Sequence, residues 1–238
     1  MYTWGYIKEA TLAKLDMTAD EASEYGFLNK FPFYANEGLI QIASAIKADR
    51  KTCTYTIKDR NKVLFMLKHK YKVDYDFIVN KTIRPENMLE DYKKMFDEYN
   101  SYLYIGDKIS MPNDFMQWID EPVQKAYERG YTTVWKQARA DEYFIAGHHQ
   151  IVFNEEGTYL VPYDGLYMQF TSTTDDDEIL EIPADIVNAI PSYIASQCFK
   201  IDDEQKSSIF RNEYEMFLAR INDDDYATNK TFKTEGNW

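Results

Sequence analysis

The apolar positions of this chain recur at two different spacings, and the changes from one to the other divide it into three stretches. Near the start, Leu28, Phe31, Ala35, Leu39, Ile42 and Ile46 fall on one face of a 3.6-residue repeat, which predicts a helix over residues 28–48. Pro32 suits the first turn of that helix, where its missing N–H has no bond to lose. Before it, Thr3 is placed to cap a first helix running to about Leu15, and Thr18-Ala-Asp-Glu21 has the spacing of a capping box. Near the other end, Ile186, Ile190, Ile194 and Cys198 recur every four residues, with Val187 and Tyr193 widening the stripe. Pro191 is expected to restart that helix at its own first turn. Asp202 and Gln205 have the spacing of a second capping box, after which Ile209, Phe210, Tyr214, Phe217, Leu218 and Ile221 line one side of a final helix.

The middle changes to strand chemistry. Thr52-Cys-Thr-Tyr-Thr-Ile57 is β-branched and aromatic, and Lys58-Asp-Arg-Asn61 has the residues of a turn. Val63–Leu67 and Tyr71–Val79 lean towards strand, the first with a helix as its alternative. Residues 84–96 return to helical spacing through Met88, Tyr92, Met95 and Phe96. Tyr102–Ile105 and Lys108–Met111 are predicted strands around Gly106-Asp107. His149–Phe153 and Thr158–Tyr163 flank a glycine-containing loop and form the clearest hairpin pattern, with a further strand at Leu166–Thr171.

Helices at both ends with strands between them predict an α+β fold. Its helical bundle is drawn from both chain ends, residues 1–50 plus 184–222, because two sets of apolar stripes are buried most simply against each other. Residues 51–183 form an inserted β-rich domain, sandwich- or barrel-like, and residues 223–238 an extended C-terminal tail.

Charge narrows the function classes. The 238 residues carry 27 Lys+Arg against 40 Asp+Glu, a net −13, so a phosphate-gripping basic surface is not expected. The nearest basic run, Lys68-His-Lys-Tyr-Lys72, is short and suits a solvated strand face. The excess acid is concentrated: Asp175–Asp225 holds 14 acidic and 4 basic residues. Such a surface repels nucleic acid and suits its passage, not its capture.

Cys53 and Cys198 are far apart and outside any CxxC pair, so disulfides are not indicated. Met1–Glu9 lacks a signal-peptide pattern, and no apolar run approaches the ~18 residues of a membrane span. A chain outside membranes and off the usual export route is expected. The 20 Tyr, 14 Phe and 4 Trp suit either an interface or a β-rich core with its rim.

Catalytic patterns are weak. His148-His149, taken as strand neighbours, point to opposite faces and make a poor metal pair, with His69 the only other histidine. Asp175–Glu178 and Asp223–Asp225 lack the alternating ligands and glycine of an EF-hand loop. Asp114 and Asp120 are the pair of carboxylates considered for hydrolysis. No P-loop, GxGxxG, GxSxG or HExxH occurs. No catalytic, cofactor-binding or metal residues are assigned, and the chain is not expected to be an enzyme.

Three stretches carry a family resemblance: Tyr25–Ala43; Gly157–Tyr163 with the acidic residues and Ile182-Pro183 beyond it; and Tyr193–Gln197 through Asn212–Ile221. In these the chain resembles the head–tail adaptor, or connector, proteins of tailed bacteriophages. The resemblance covers roughly half of the chain and rests on no mechanistic motif. It implies a structural virion protein without cofactors, forming a homo-oligomeric ring with a dodecamer as one candidate. Its partners would be the portal protein above and a downstream tail protein below, with DNA passing through the channel without sequence-specific binding. Its place would be the neck or tail region of a virion assembled in the host cytoplasm, with no membrane contact. Tyr226, Phe232 and Trp238 are the candidate docking residues of the tail, a frayed terminus being the alternative. Competing classes are another tail or baseplate component, a metal- or carbohydrate-dependent hydrolase, and a monomeric binding module using a Tyr-rich β face.

Overall fold

The structure is a computed structural model that describes residues 2–46, 48–72 and 90–228, with backbone alone at 91–92 and 222–228. It is mixed α/β. In chain order the α-helices are α1 (Trp4–Leu15), α2 (Ala19–Glu24), α3 (Phe31–Ala45), α4 (Arg60–Tyr71), α5 (Glu90–Asn100), α6 (Ala184–Phe199) and α7 (Glu204–Thr228). The strands are β1 (Asp49–Lys58), β2 (Leu103–Tyr104), β3 (Ile109–Ser110), β4 (Phe115–Trp118), β5 (Gln124–Arg129), β6 (Thr132–Gln137), β7 (Tyr143–Ile145), β8 (Gln150–Phe153) and β9 (Gly157–Gly165). The chain divides into two compact units, one of Met1–Asp49 with everything from Gly165 onward, the other of Arg50–Asp164. Among the described residues no helix is long and apolar enough to cross a membrane.

In the first unit α6 is the central element, packed against α1, α3 and α7. Its apolar residues are buried on more than one side: Ile186, Val187, Ala189, Ile190, Ile194 and Ala195 are wholly covered. Each such isoleucine contributes about 2 kcal/mol relative to exposure. Three of them outweigh the roughly 3 kcal/mol that an interior proline costs. The helix therefore runs through Pro191 without the expected restart. Tyr214 of α7 donates its hydroxyl to the Gly38 carbonyl of α3 (3.1 Å), and its ring lies 4.9 Å from that of Tyr193. A Cβ at Gly38 would stand 3.0 Å from the Tyr193 ring, so the glycine sets how closely α3 approaches α6.

Local signals account for most helix ends. Thr3 caps α1 by accepting from the Tyr6 N–H, and Thr18 and Glu21 complete their capping box at α2. The predicted helix over 28–48 is a 3₁₀ turn at Leu28–Lys30 followed by α3. Asp203, not Asp202, caps α7, its Oδ1 accepting from the Lys206 N–H. Ile209, expected on the buried stripe of α7, is 63% exposed, whereas Tyr214 and Ile221 are buried. The helix also continues past Asn222 to Thr228, where an extended tail was expected, since each added residue of an established helix gains one backbone bond.

Residues 165–183 belong to this first unit. Leu166–Thr171 forms no strand; the Phe170 N–H is held by Asn36 Oδ1 at 2.7 Å, and the Phe170 ring stacks on Trp4 at 4.2 Å. The acidic run lies along the start of α1. The Asp176 and Glu178 carbonyls accept from the Gly5 and Trp4 N–H groups, Leu180 N–H donates to the Tyr2 carbonyl, and Lys8 pairs with Asp176.

The second unit contains two sheets. The larger runs β2-β1-β9-β5-β6, with β4 also paired to β9; the smaller runs β3-β8-β7. β1 and β2 are parallel, while β5 pairs antiparallel with both β6 and β9. Ile57, Ile109, Ile151, Phe153, Tyr159 and Val161 from both sheets share one core. The hairpin expected from His149 to Tyr163 does not form, because β8 and β9 lie in different sheets. The connection between them bonds elsewhere: Asn154 N–H donates to the Glu142 carbonyl and its amide to that of Asp141. Val63–Leu67 is helical, within α4. Asp59 Oδ1 accepts from Asn61 and Lys62 N–H groups to cap it, and Val63 and Leu67 pack with Met95 of α5 and Tyr104. The basic run Lys68–Lys72 therefore forms the solvated last turn and end of a helix rather than a strand face. The predicted segments at 73–79 and 84–89 lie outside the described residues.

Candidate assembly surfaces

The most developed polar cluster stands at the root of the β5–β6 hairpin. Lys125 Nζ donates to Glu142 Oε1 at 2.7 Å and to Glu155 Oε2 at 3.0 Å, and lies 5.3 Å from the Tyr159 ring centre. Glu142 Oε2 accepts from the Arg139 N–H at 2.6 Å, and the Arg139 guanidinium bonds Glu155 Oε1 at 2.6 Å. Lys125 and Glu142 are both buried. Gly157 makes this possible, since a Cβ there would meet the Lys125 stem at 2.7 Å, and its φ of +153° disfavours a side chain in any case.

Burial opposes charge on Lys125, but the Glu142 and Glu155 carboxylates outweigh it and hold the ammonium above its ordinary pKa. Burial likewise opposes charge on Glu142, yet Lys125 and the Arg139 N–H hold that carboxyl below its ordinary value. Both groups are ionised at neutral pH, an arrangement that fixes a loop and does not transfer protons. The cluster ties β5, the turn after β6 and the β8–β9 connection together.

Beyond this root the hairpin stands apart. β5 pairs with β9 only at Gln124 and Lys125, while six residue pairs join β5 to β6. From Tyr127 to Gln137 every residue except Val134 is exposed. Alternation puts Tyr127, Arg129, Val134 and Lys136 on one face, since Tyr127 opposes Val134, Arg129 opposes Thr132 and Lys136 opposes Lys125. The other face has Trp135, Glu128 and Thr133, the last two in contact at 3.4 Å. Among the described residues neither Arg129 nor Lys136 meets a carboxylate; Lys136 lies 5.8 Å from the Tyr127 ring centre.

The helical unit exposes large apolar side chains of its own. Tyr25, Phe33 and Ile40 face outward from the 25–43 stretch, Phe33 at 67% exposure. Ile201, Ile209 and Met216 do so at the end of α6 and along α7, and a shallow groove on α7 is lined by Glu213, Met216, Phe217 and Arg220.

The sequence-derived candidates are scattered by comparison. Tyr226 lies within α7, described by its backbone alone; Phe232 and Trp238 lie outside the described residues. His148 and His149 are exposed in the bend between β7 and β8, not on a strand, and His69 packs edge-on against Phe65 of α4. Asp114 is bonded by Lys51 at 2.7 Å and Tyr163 at 3.0 Å; burial opposes its charge, but these partners hold its pKa below the ordinary carboxylate value. Among the described residues no bond joins it to Asp120, and no group of three His, Cys, Asp or Glu side chains gathers as metal ligands. The hairpin and its ionic root were missed by sequence reasoning. The signal was present in Arg129-Gly-Tyr-Thr132, a two-residue Gly-containing turn between β-type runs. Compared with known proteins, the chain matches no family model and no curated sequence.

Proposed function

We propose that this chain is a structural virion protein, a head–tail adaptor whose copies close into a ring between the portal and the tail. The observation that carries the proposal is where the exposed apolar side chains fall. Tyr25, Phe33 and Ile40 belong to the first stretch that resembles adaptor proteins, and Ile209 and Met216 lie on the final helix, where the third stretch ends. Several large apolar side chains left in water on one unit mark surfaces that another protein covers.

In this reading the helices of both chain ends form the bundle at the heart of the subunit, and the β-rich segment is a sandwich-like insertion that adds contacts outside the channel. The acidic residues between Asp175 and Asp225 favour free passage of DNA through the ring in the virion neck. Tyr226, Phe232 and Trp238 clamp the portal or a neighbouring subunit.

Electron microscopy of the purified chain, alone and mixed with the portal protein of the same genome, tests the proposal. Closed rings, or rings that appear on the portal, are expected. A chain that stays monomeric in both conditions overturns it. Removal of residues 229–238 is expected to weaken portal attachment, and unchanged attachment removes the clamp from the proposal.

A further inference from the structure

Among the described residues the exposed face of the β5–β6 hairpin has no partner, yet its chemistry specifies one. Along it a cation, an apolar pair and a second cation follow in order: Arg129, then Tyr127 with Val134, then Lys136. From the Arg129–Thr132 pair to Lys136 is four residues of strand, about 13 Å. The complementary order occurs in the acidic run. Asp177, Ile179 and Glu181 are exposed along it in that order, as is Glu178, while Leu180 and Ile182 are buried. Ile179 is 54% exposed and forms a bridge with Thr3, and just before it the chain turns, Glu178 N–H donating to the Asp175 carbonyl at 3.2 Å and Asp177 N–H to Asp175 Oδ1. Anion, apolar side chain and anion thus match cation, apolar pair and cation in order and in charge.

We propose that the hairpin of one copy docks on the Asp177–Glu181 run of a second copy. This inference deepens the ring reading and rests on it. The two surfaces differ, so the contact is heterologous, and head-to-tail contacts of this kind generate rings when the rotation closes. It removes Asp177 and Glu181 from the channel lining and makes them part of the subunit contact. Nucleic acid is the less favoured partner for the hairpin. Two free cations on a chain of net −13 fall well short of the 6–10 phosphate contacts typical of proteins that hold DNA.

The test is charge reversal in the full chain, followed by light scattering and sedimentation at low and high salt. Arg129→Glu with Lys136→Glu is expected to weaken self-association by at least about tenfold, as is Asp177→Lys with Glu181→Lys. Combining all four is expected to restore it to within about threefold of the original, because the pairs are re-formed with opposite sign. Circular dichroism and thermal melting confirm that each variant is folded. Association that survives either reversal, or is not restored by the combination, overturns the hairpin contact and leaves the ring standing. Absence of association in the unaltered chain, alone and on the portal, overturns both. DNA binding that is lost with Arg129→Glu and Lys136→Glu while self-association is unchanged overturns the contact in favour of nucleic acid.

Discussion

Single residues show how closely buried polarity is managed. Glu142 has its carboxyl held below the ordinary 4.5, so unfolding takes up protons in acid. Its contribution to stability is complete above pH 4.5 and is lost as pH falls through the lower folded value. Lys125 has the opposite sign: held above its ordinary 10.5, it stabilises fully below that pH and loses its contribution as pH rises through the folded value. Glu142→Gln takes from the buried ammonium one of its two carboxylates, leaving Glu155, and is expected to cost about 2 kcal/mol at neutral pH, with a flatter acid limb in a plot of melting temperature against pH. An acid limb identical to the original would exclude Glu142 as its source. Ser192 is the converse case. Its Oγ is buried with no hydrogen-bond partner among the described residues, so Ser192→Ala removes an unmet desolvation cost. Chemical denaturation is expected to show a gain of up to about 1 kcal/mol.

At the scale of elements, legibility followed the range of the interactions that decide each one. The caps at Thr3 and Thr18 and the stripe of α6 depend on neighbours within four residues, and the sequence displays them openly. α4 was ambiguous because Val63–Leu67 is an unbroken run of five apolar residues, which shows neither a helical nor a strand period, and Asp59, the capping side chain that decides the matter, also suits a turn. The fate of β8 and β9 is non-local: Glu155 is drawn to Lys125 and Arg139, 30 and 16 residues away, and no local pattern announces that. The same holds for the continuity of α6 through Pro191, which burial on several sides enforces. Of the candidate site, the acidic run was legible as charge, whereas the hairpin facing it in the proposed contact was overlooked because its turn lies among exposed residues. The packing of α3 on α6 yields a test at this scale. Gly38→Ala would improve helix propensity by about 1 kcal/mol, but it forces a methyl to 3.0 Å from Tyr193 and 3.3 Å from Ile190. Overpacking of that kind costs about 1–3 kcal/mol, so a lower melting temperature is expected, and a higher one would mean that the Tyr193 ring yields freely.

For the molecule as a whole, the decisive fact is that a unit built from the middle of the chain has its two ends together. Arg50 and Asp164, its first and last residues, form an ion pair at 3.8 Å. The flanking residues Asp49 and Gly165 are therefore near neighbours in space, and the path from one to the other can be closed by a few residues. Chain ends that meet are what allow one domain to sit inside another without disturbing it. The first unit keeps its own core of α1, α3, α6 and α7 around Ile7, Leu39, Ile190, Ile194 and Tyr214, all wholly buried. Replacing Arg50–Asp164 by a short Gly-Ser linker should then leave a helical protein that melts in one cooperative transition, since loop closure of this length costs little. Retained far-ultraviolet helical signal with a sharp melt is the expected outcome. A non-cooperative, molten product would mean that the helical core depends on the inserted unit, and the division of the chain into two self-sufficient units would have to be abandoned.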